Sequence, residues 1–261
     1  MKTLYLDIFS GISGDMFVAA LIDLGVDARR LERELKKLKL GGYHLRIARG
    51  EKSSIAGVKF DVQLAPAPAV KSGASPHRHG AGRRAHSHAH APTDHAGART
   101  FADIQKLIAR SQLSPWVKQK AIAVFRRLAE AEGKIHGVPP AAVHFHEVGA
   151  VDSIVDIVGA CLGLELLGKP RVRAAAVVEG TGWIHCAHGR FPVPAPATLA
   201  ILGARGIGLT QCNEPHELVT PTGAALLAEF AESFGPMTGL VAEKIGFGLG
   251  TRDHQTRPNV L

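Results

Sequence analysis

The chain has 261 residues, 46% of them hydrophobic, enough to fill the core of one large or two small domains and to exclude a wholly disordered polypeptide. Its formal charge is +8, but half of that excess falls between residues 71 and 100, where Lys71, Arg78, Arg83, Arg84 and Arg99 stand against Asp94 alone. With aromatic residues at 5% and no basic run interleaved with stacking side chains, the composition argues against a nucleic-acid partner.

Leu4 to Phe9 is a short run of strand formers, followed by the glycine turn Ser10-Gly-Ile-Ser-Gly-Asp15 and a helical pattern over Met16 to Leu24. Gly25 closes that helix. Ala28 to Leu40 repeats Leu31, Leu35 and Leu38 between charges, a second amphipathic helix stopped by Gly41 and Gly42. Tyr43 to Ala48 and Val58 to Leu64 alternate around a polar loop at Glu51 to Gly57 and predict an antiparallel pair.

Ala65 to Ala98 carries Pro66, Pro68, Pro76 and Pro92, much Ala, Gly and Ser, and six histidines at 77, 79, 86, 88, 90 and 95. It lacks the apolar area to order itself and reads as a disordered His-rich insertion, leaving 1–64 and 99–261 as one domain. Thr100 to Asp103 is a capping box for a helix to Ala109, and Ser114-Pro115 opens a long helix to Lys134. After Val143 to Val148, Asp152 caps a predicted helix to Leu167 with apolar residues at 154, 155, 158, 161, 162 and 166.

The final hundred residues predict strands at Arg173 to Val178 and Trp183 to Cys186, helices at Pro196 to Leu202 and Thr220 to Phe230, and a strand over Val241 to Leu249. Interleaved strands and helices without an internal repeat indicate a mixed α/β fold, with α+β as the other arrangement of the same elements. Cys161, Cys186 and Cys212 form no Cys-x-x-Cys pair, as in a reducing compartment. The most apolar stretch, Val151 to Leu167, is interrupted by Asp152, Asp156 and Glu165, and no secretion signal opens the chain, so a soluble cytoplasmic protein with no membrane partner is expected.

The densest chemistry lies in His144-Phe-His-Glu-Val-Gly-Ala-Val-Asp152-Ser-Ile-Val-Asp156. An extended backbone projects His144 and His146 to one side, whereas a helix makes neighbours of His144 and Glu147. Asp152 and Asp156 stack on one helix face, a repulsive pair unless a cation or proton lies between them. Imidazole with carboxylate suits nickel, zinc or iron, and carboxylate alone suits magnesium or manganese. The competing reading leaves the histidines exposed and Asp152 as a cap.

A second group, His185, Cys186 and His188, offers imidazole and thiol, or else a strand end with a buried cysteine. A third is the turn from Asp7 to Asp15. Ser10, Gly11, Ser13 and Gly14 can present hydroxyls, backbone N–H groups and a helix N-terminus to a phosphate, with Asp7 and Asp15 holding a bridging cation or merely capping. Glu217 to Gly223 and Gly246 to Asp253 are weaker signals, the first a helix cap and the second an anion nest or a glycine-rich strand end. The histidine tract holds divalent metal at overlapping weak sites, or serves only as a linker.

Taken together, Tyr5 to Met16, Val143 to Gly159, His188 to Thr198, Glu217 to Ala224 and Ile245 to Leu261 resemble the LarC family of nickel-insertion proteins. The resemblance runs over nearly the whole chain and includes a His-rich variable insertion. It implies a chelatase that inserts Ni(II) into pyridinium-3,5-bisthiocarboxylic acid mononucleotide, making the nickel-pincer cofactor of lactate racemase, with Mn(II) and cytidine triphosphate (CTP) consumed. On this reading the metal ligands come from His144, His146, Glu147, Asp152, Asp156, His185 and His188, and Glu147 or His188 takes the ring proton that nickel replaces. The expected partners are the substrate mononucleotide, a carboxy-terminal domain or chain of the same family, apo lactate racemase or a related recipient, and a second copy of the chain in a homo-oligomer. Full-length members continue past the Arg257 to Leu261 motif into a carboxy-terminal nucleotide-binding domain, so CTP is not expected to bind this chain alone. Two other functions use the same residues: a nickel metallochaperone or store acting through the histidine tract, and a metal-dependent phosphohydrolase built on Asp7, Asp15, Asp152 and Asp156.

Overall fold

The computed structural model describes residues 2–65, 99–145, 150–186 and 189–261. His146, Glu147, His188 and all but Ala65 of the expected His-rich insertion lie outside them.

β1 (Thr3–Leu6) leads through the predicted turn into α1 (Gly14–Asp23), which buries residues on every side, from Met16 to Leu21 without a break. A helix apolar all round belongs at the centre of a fold, and α1 packs there against α5 and β3, described below. α2 (Ala28–Lys36) is held at its start by Asp27, whose carboxylate accepts the Arg30 N–H at 2.7 Å, and buries Leu31 and Leu35.

β2 (Tyr43–Lys52) and β3 (Ile55–Leu64) pair antiparallel from Tyr43↔Leu64 to Lys52↔Ile55. The hairpin consumes the polar loop expected at Glu51 to Gly57, because Ser53 and Ser54 both take positive φ, 48° and 65°, and close it in two residues. β4 (Arg99–Thr100) precedes α3 (Phe101–Arg110), where Thr100 and Asp103 complete the capping box. α4 (Pro115–His136) starts on the Ser114 cap and stops at Gly137, which adopts the left-handed conformation with φ 68°.

β5 (His144–Phe145) pairs with β4. α5 (Val151–Leu166) begins two residues earlier than the sequence suggests: Ala150 is the N-cap, and Asp152 sits in the first turn with its carboxylate on the Ser153 N–H. The single strand expected over residues 173–178 is two, β6 (Arg171–Ala174) and β7 (Val177–Glu179), which join different sheets. There follow β8 (Trp183–Cys186) and β9 (Gly189–Pro192), an antiparallel pair, then α6 (Pro196–Ala204), β10 (Leu209–Gln211), α7 (Pro221–Phe230) and β11 (Ala231–Phe234).

β6 is central in a parallel sheet between β1 and β11, and β7 pairs in parallel with β10. Parallel neighbours need crossovers, so the loops leaving β1, β7 and β10 emerge on the carboxyl edges of their strands, where α/β folds place ligands. These loops are stitched together: Ile12 bridges Val219, the Thr181 N–H donates to the Glu214 carbonyl at 2.8 Å, and the Cys212 N–H donates to the Glu179 carbonyl at 2.8 Å.

The expected strand over Val241 to Leu249 does not form. The segment contributes isolated bridges, Gly248 to Val58 and Leu249 to Val260, because its glycines lie against α1; a Cβ on Gly248 would stand 1.9 Å from the Met16 carbonyl oxygen. One hydrophobic cluster extends from Leu6 to Leu261 and takes in α1, α3, α4, α5 and α7. Among the described residues no helix is long and apolar enough to cross a membrane.

Candidate functional site

The turn after β1 is built by close backbone approach. Gly11 has φ +81°, and a Cβ there would stand 2.0 Å from the Leu218 carbonyl oxygen, so both its conformation and its neighbour demand glycine. The next residue locks the two loops, with the Ile12 N–H donating to Leu218 and the Thr220 N–H donating to Ile12. Ser10, at the crest, is completely buried and its hydroxyl has no partner. Ser13 occupies the N-cap position of α1 but turns its hydroxyl to the Asp15 carboxylate instead of the helix amides.

On one side of this turn the acidic motifs converge. α5 presents Gly159 and Gly163 to Val18 and Leu21 of α1, with any added Cβ within 3.2 Å and 2.7 Å of those side chains. This glycine stripe lets the helices approach closely and carries Asp156, one turn earlier, onto Gly14: a Cβ on Gly14 would meet the Asp156 Cβ at 2.7 Å. Asp15 is held by Ser13 and by Lys59 of β3, whose ammonium lies 2.5 Å from Oδ2 and 3.5 Å from Asp61. Asp156 Oδ1 is buried without a hydrogen-bond partner. Burial, then the neighbouring Asp15 and Asp152 charges, push the Asp156 carboxyl well above the usual range, against the pull of Lys59. This is a carboxylate held next to like charges with an open acceptor, an arrangement that a divalent cation relieves.

The other side is made by the loops after β7 and β10 and by residues 252–259. Glu179 is buried and its carboxylate accepts the N–H groups of Gly180 at 2.8 Å, Leu218 at 2.6 Å and Val219 at 3.3 Å. Glu214, also fully buried, accepts the Gln255 N–H at 3.0 Å and both the N–H and hydroxyl of Thr256 at 2.9 and 2.7 Å. Burial works to raise the Glu214 pKa, yet these donors and the nearby His254 lower it to about 2. His254 stacks on His216 with ring centroids 5.7 Å apart, and burial keeps its imidazole below the ordinary range. Arg257 Nη1 donates to the Phe9 carbonyl at 2.7 Å, back on the turn.

A carboxyl whose pKa is depressed in the native state stabilises the fold above its unfolded pKa and loses that contribution as pH falls through the native value. Acid unfolding followed by circular dichroism is therefore expected to steepen from the ordinary glutamate range down to about 2. Glu214→Gln should flatten this limb, and an unchanged acid limb in that variant would sink the assignment.

Of the residues singled out in the sequence, Asp15 and Asp156 are brought together, and Asp152 contributes charge from an exposed position. Asp7 is exposed beyond β1. His144 is exposed opposite Thr100, where its charge reaches Asp103, and His185 is exposed opposite Arg190. Among the described residues no three His, Cys, Asp or Glu side chains gather at metal-binding distance. Cys161 is a core residue of α5 whose thiol burial pushes far up. Sequence reading missed Glu179, Glu214, His254 and Arg257. For Glu179 and Glu214 the local signal was proximity to glycine and proline, in Glu179-Gly180 and Glu214-Pro215, whereas His254 and Arg257 stood in the Ile245 to Leu261 segment of the resemblance without a role.

The nickel insertion protein family matches residues 4–261 of the chain. A pyridinium-3,5-bisthiocarboxylic acid mononucleotide nickel insertion protein of Geobacillus kaustophilus is 46% identical over 261 residues, covering 100% of this chain and 59% of that relative. A relative of the same description from Lactiplantibacillus plantarum is 46% identical over 255 residues, covering 97% of this chain and 59% of its own length. The chain thus spans less than two thirds of the length of these relatives. No solved structure matches it.

Proposed function

Since the chain belongs to the nickel insertion protein family, we propose that it inserts Ni(II) into pyridinium-3,5-bisthiocarboxylic acid mononucleotide, the substrate that its relatives' description names. The observation carrying this reading is the meeting of Asp15 and Asp156 beside the α1 N-terminus, with the phosphate-type turn Ser10 to Gly14 directly adjoining. Such a site offers anion-binding groups and carboxylate oxygens to one molecule carrying both a phosphate and a nickel-binding ring.

Insertion exchanges a ring C–H bond for a carbon–nickel bond while two thiocarboxylate sulfurs coordinate the same ion, so one proton leaves the ring. Glu147 or His188 accepts it. Nickel is delivered from imidazole and carboxylate ligands drawn from His144, His146, Glu147, Asp152, Asp156, His185 and His188, which hold it less tightly than a closed thiolate cage. In enzymatic terms the chain is a chelatase of the lyase type. Mn(II), as a hard cation, fits the carboxylate oxygens of Asp15 and Asp156, and the orphaned Asp156 Oδ1 is the acceptor it would satisfy. No residue of this chain is assigned to CTP. The histidine tract is ancillary.

The reading is tested by following formation of the nickel–carbon product, by absorbance and mass, from substrate, Ni(II), Mn(II) and CTP, with the family's remaining region supplied as a second polypeptide. A chain lacking residues 77–95 is expected to retain transfer, and His144→Ala with His146→Ala to lose it by about 100-fold, the upper range for disrupted metal sites. Full transfer by the double variant would remove the ligand assignment. Loss of transfer with the tract alone would make delivery the better description.

A further inference from the structure

Buried polar atoms without a partner are few in folded proteins, and each marks a place for an ion, a water or a ligand. Ser10 Oγ, Asp156 Oδ1, His254 Nδ1 and Arg257 Nε are such atoms here. Asp156 belongs to the acidic side of the turn. Ser10 and Arg257 belong to the other, and they adjoin: Arg257 Nη1 bonds the Phe9 carbonyl, the peptide that leads into Ser10.

Arg257 also makes no ion pair among the described residues, and the buried carboxylate of Glu214, which holds its neighbours Gln255 and Thr256, is spent on them. Those same bonds, with Asn259 Nδ2 on the Arg252 carbonyl at 2.9 Å, fix the backbone on both sides of the arginine. One donor of the guanidinium is used to hold it on the turn, and Nε is left facing no acceptor. A planar guanidinium held in place with free donors is suited to a phosphate oxygen pair.

We propose that Ser10 and Arg257 form the anion-binding end of the site and take the phosphate monoester of a mononucleotide, Arg257 supplying the charge and Ser10 a hydroxyl donor. The identity of that mononucleotide rests on the nickel-insertion reading; the pairing of Ser10 with Arg257 does not. Asp15 closes the same turn and Asp156 of α5 meets Gly14 there, so the carboxylates adjoin the turn that carries the proposed phosphate end.

The test is calorimetry on the full chain with nicotinic acid mononucleotide, nicotinic acid riboside and inorganic phosphate as probes, each without nickel. The chain is expected to bind the mononucleotide at least tenfold more tightly than the riboside. Arg257→Gln should abolish that preference and leave riboside binding unchanged. Should loss of the Phe9 contact unfold this variant, Ser10→Ala carries the test: removing an unpartnered buried hydroxyl leaves thermal stability equal or higher, while mononucleotide affinity falls severalfold. Mononucleotide preference retained in both variants overturns the proposal. Phosphate binding that depends on Arg257, with no selectivity for the mononucleotide, supports the anion pocket and counts against the substrate reading. Absence of binding by all three probes overturns the pocket, whereas nickel transfer assayed separately decides the function.

Discussion

Asparagine in place of Asp156 is expected to make the chain more stable at pH 8 and nearly inactive in nickel transfer. The carboxyl is pushed up by burial and by Asp15 and Asp152, so the native state holds its proton to a higher pH than the unfolded chain does. Between the ordinary aspartate range and that raised value the native state binds more protons, and stability falls as pH rises. Above it the full penalty of a charged, partly unsatisfied group remains. The amide removes the charge at nearly constant volume, and relief of about 1–3 kcal/mol is the usual scale for such a group. Stability by urea unfolding should then fall more steeply from pH 4 to pH 8 in the native chain than in Asp156→Asn, the difference between the two curves being the contribution of this carboxyl. Transfer should drop about 100-fold, since a neutral amide is a poor ligand for Ni(II) or Mn(II). A variant less stable than the native chain at pH 8 would mean that Lys59 compensates the charge and that no cation is needed.

The largest loss of stability is expected from Glu179→Ala. This buried carboxylate is the common acceptor for the N–H groups of Gly180, Leu218 and Val219, and it ties the loop after β7 to the loop after β10. Removing it leaves three buried donors unpaired and a cavity between the loops, with an expected cost of about 3–5 kcal/mol. Because Gly11 and Ile12 lean on Leu218 and Thr220, the Ser10 to Gly14 turn should loosen with them. Glu179→Gln keeps one acceptor oxygen and should cost about half as much. Urea denaturation of the two variants measures this directly, and a loss below ~1 kcal/mol for alanine would show that the loops are held by their backbone bridges alone.

Helices with local punctuation were legible in the sequence: Thr100 with Asp103, Ser114 with Pro115, and Thr220 with Pro221 each start the helix they predict. The short strands β9, β10 and β11 were not, because three or four residues carry no periodicity of their own and are fixed by partners elsewhere. Val241 to Leu249 misled for the opposite reason: its alternation looks like a strand, but its glycines serve contact with α1. At the site, Asp15 and Asp156 were each visible as unusual local carboxylates, while their meeting depends on the Gly159 and Gly163 packing that no local pattern announces. Glu179, Glu214 and Arg257 were invisible for a simpler reason. A buried acid clamping loop amides, or an arginine on a carbonyl, has no sequence signature until the fold supplies the partner.

The contact between Arg257 and Phe9 joins residues near opposite ends of the chain, and Tyr5 with Gly235 and Lys52 with Asp253 do the same. Loops that close over such separations are entropically slow to form, so these contacts are among the last to assemble during folding. Asp15 and Asp156 are both synthesised before residues 252–259, which close the other side of the turn, and that side waits for residue 257 to leave the ribosome. On the proposed reading, carboxylates for a cation are therefore made before the arginine that would receive the mononucleotide's phosphate, and a partly made polypeptide would carry the first without the second.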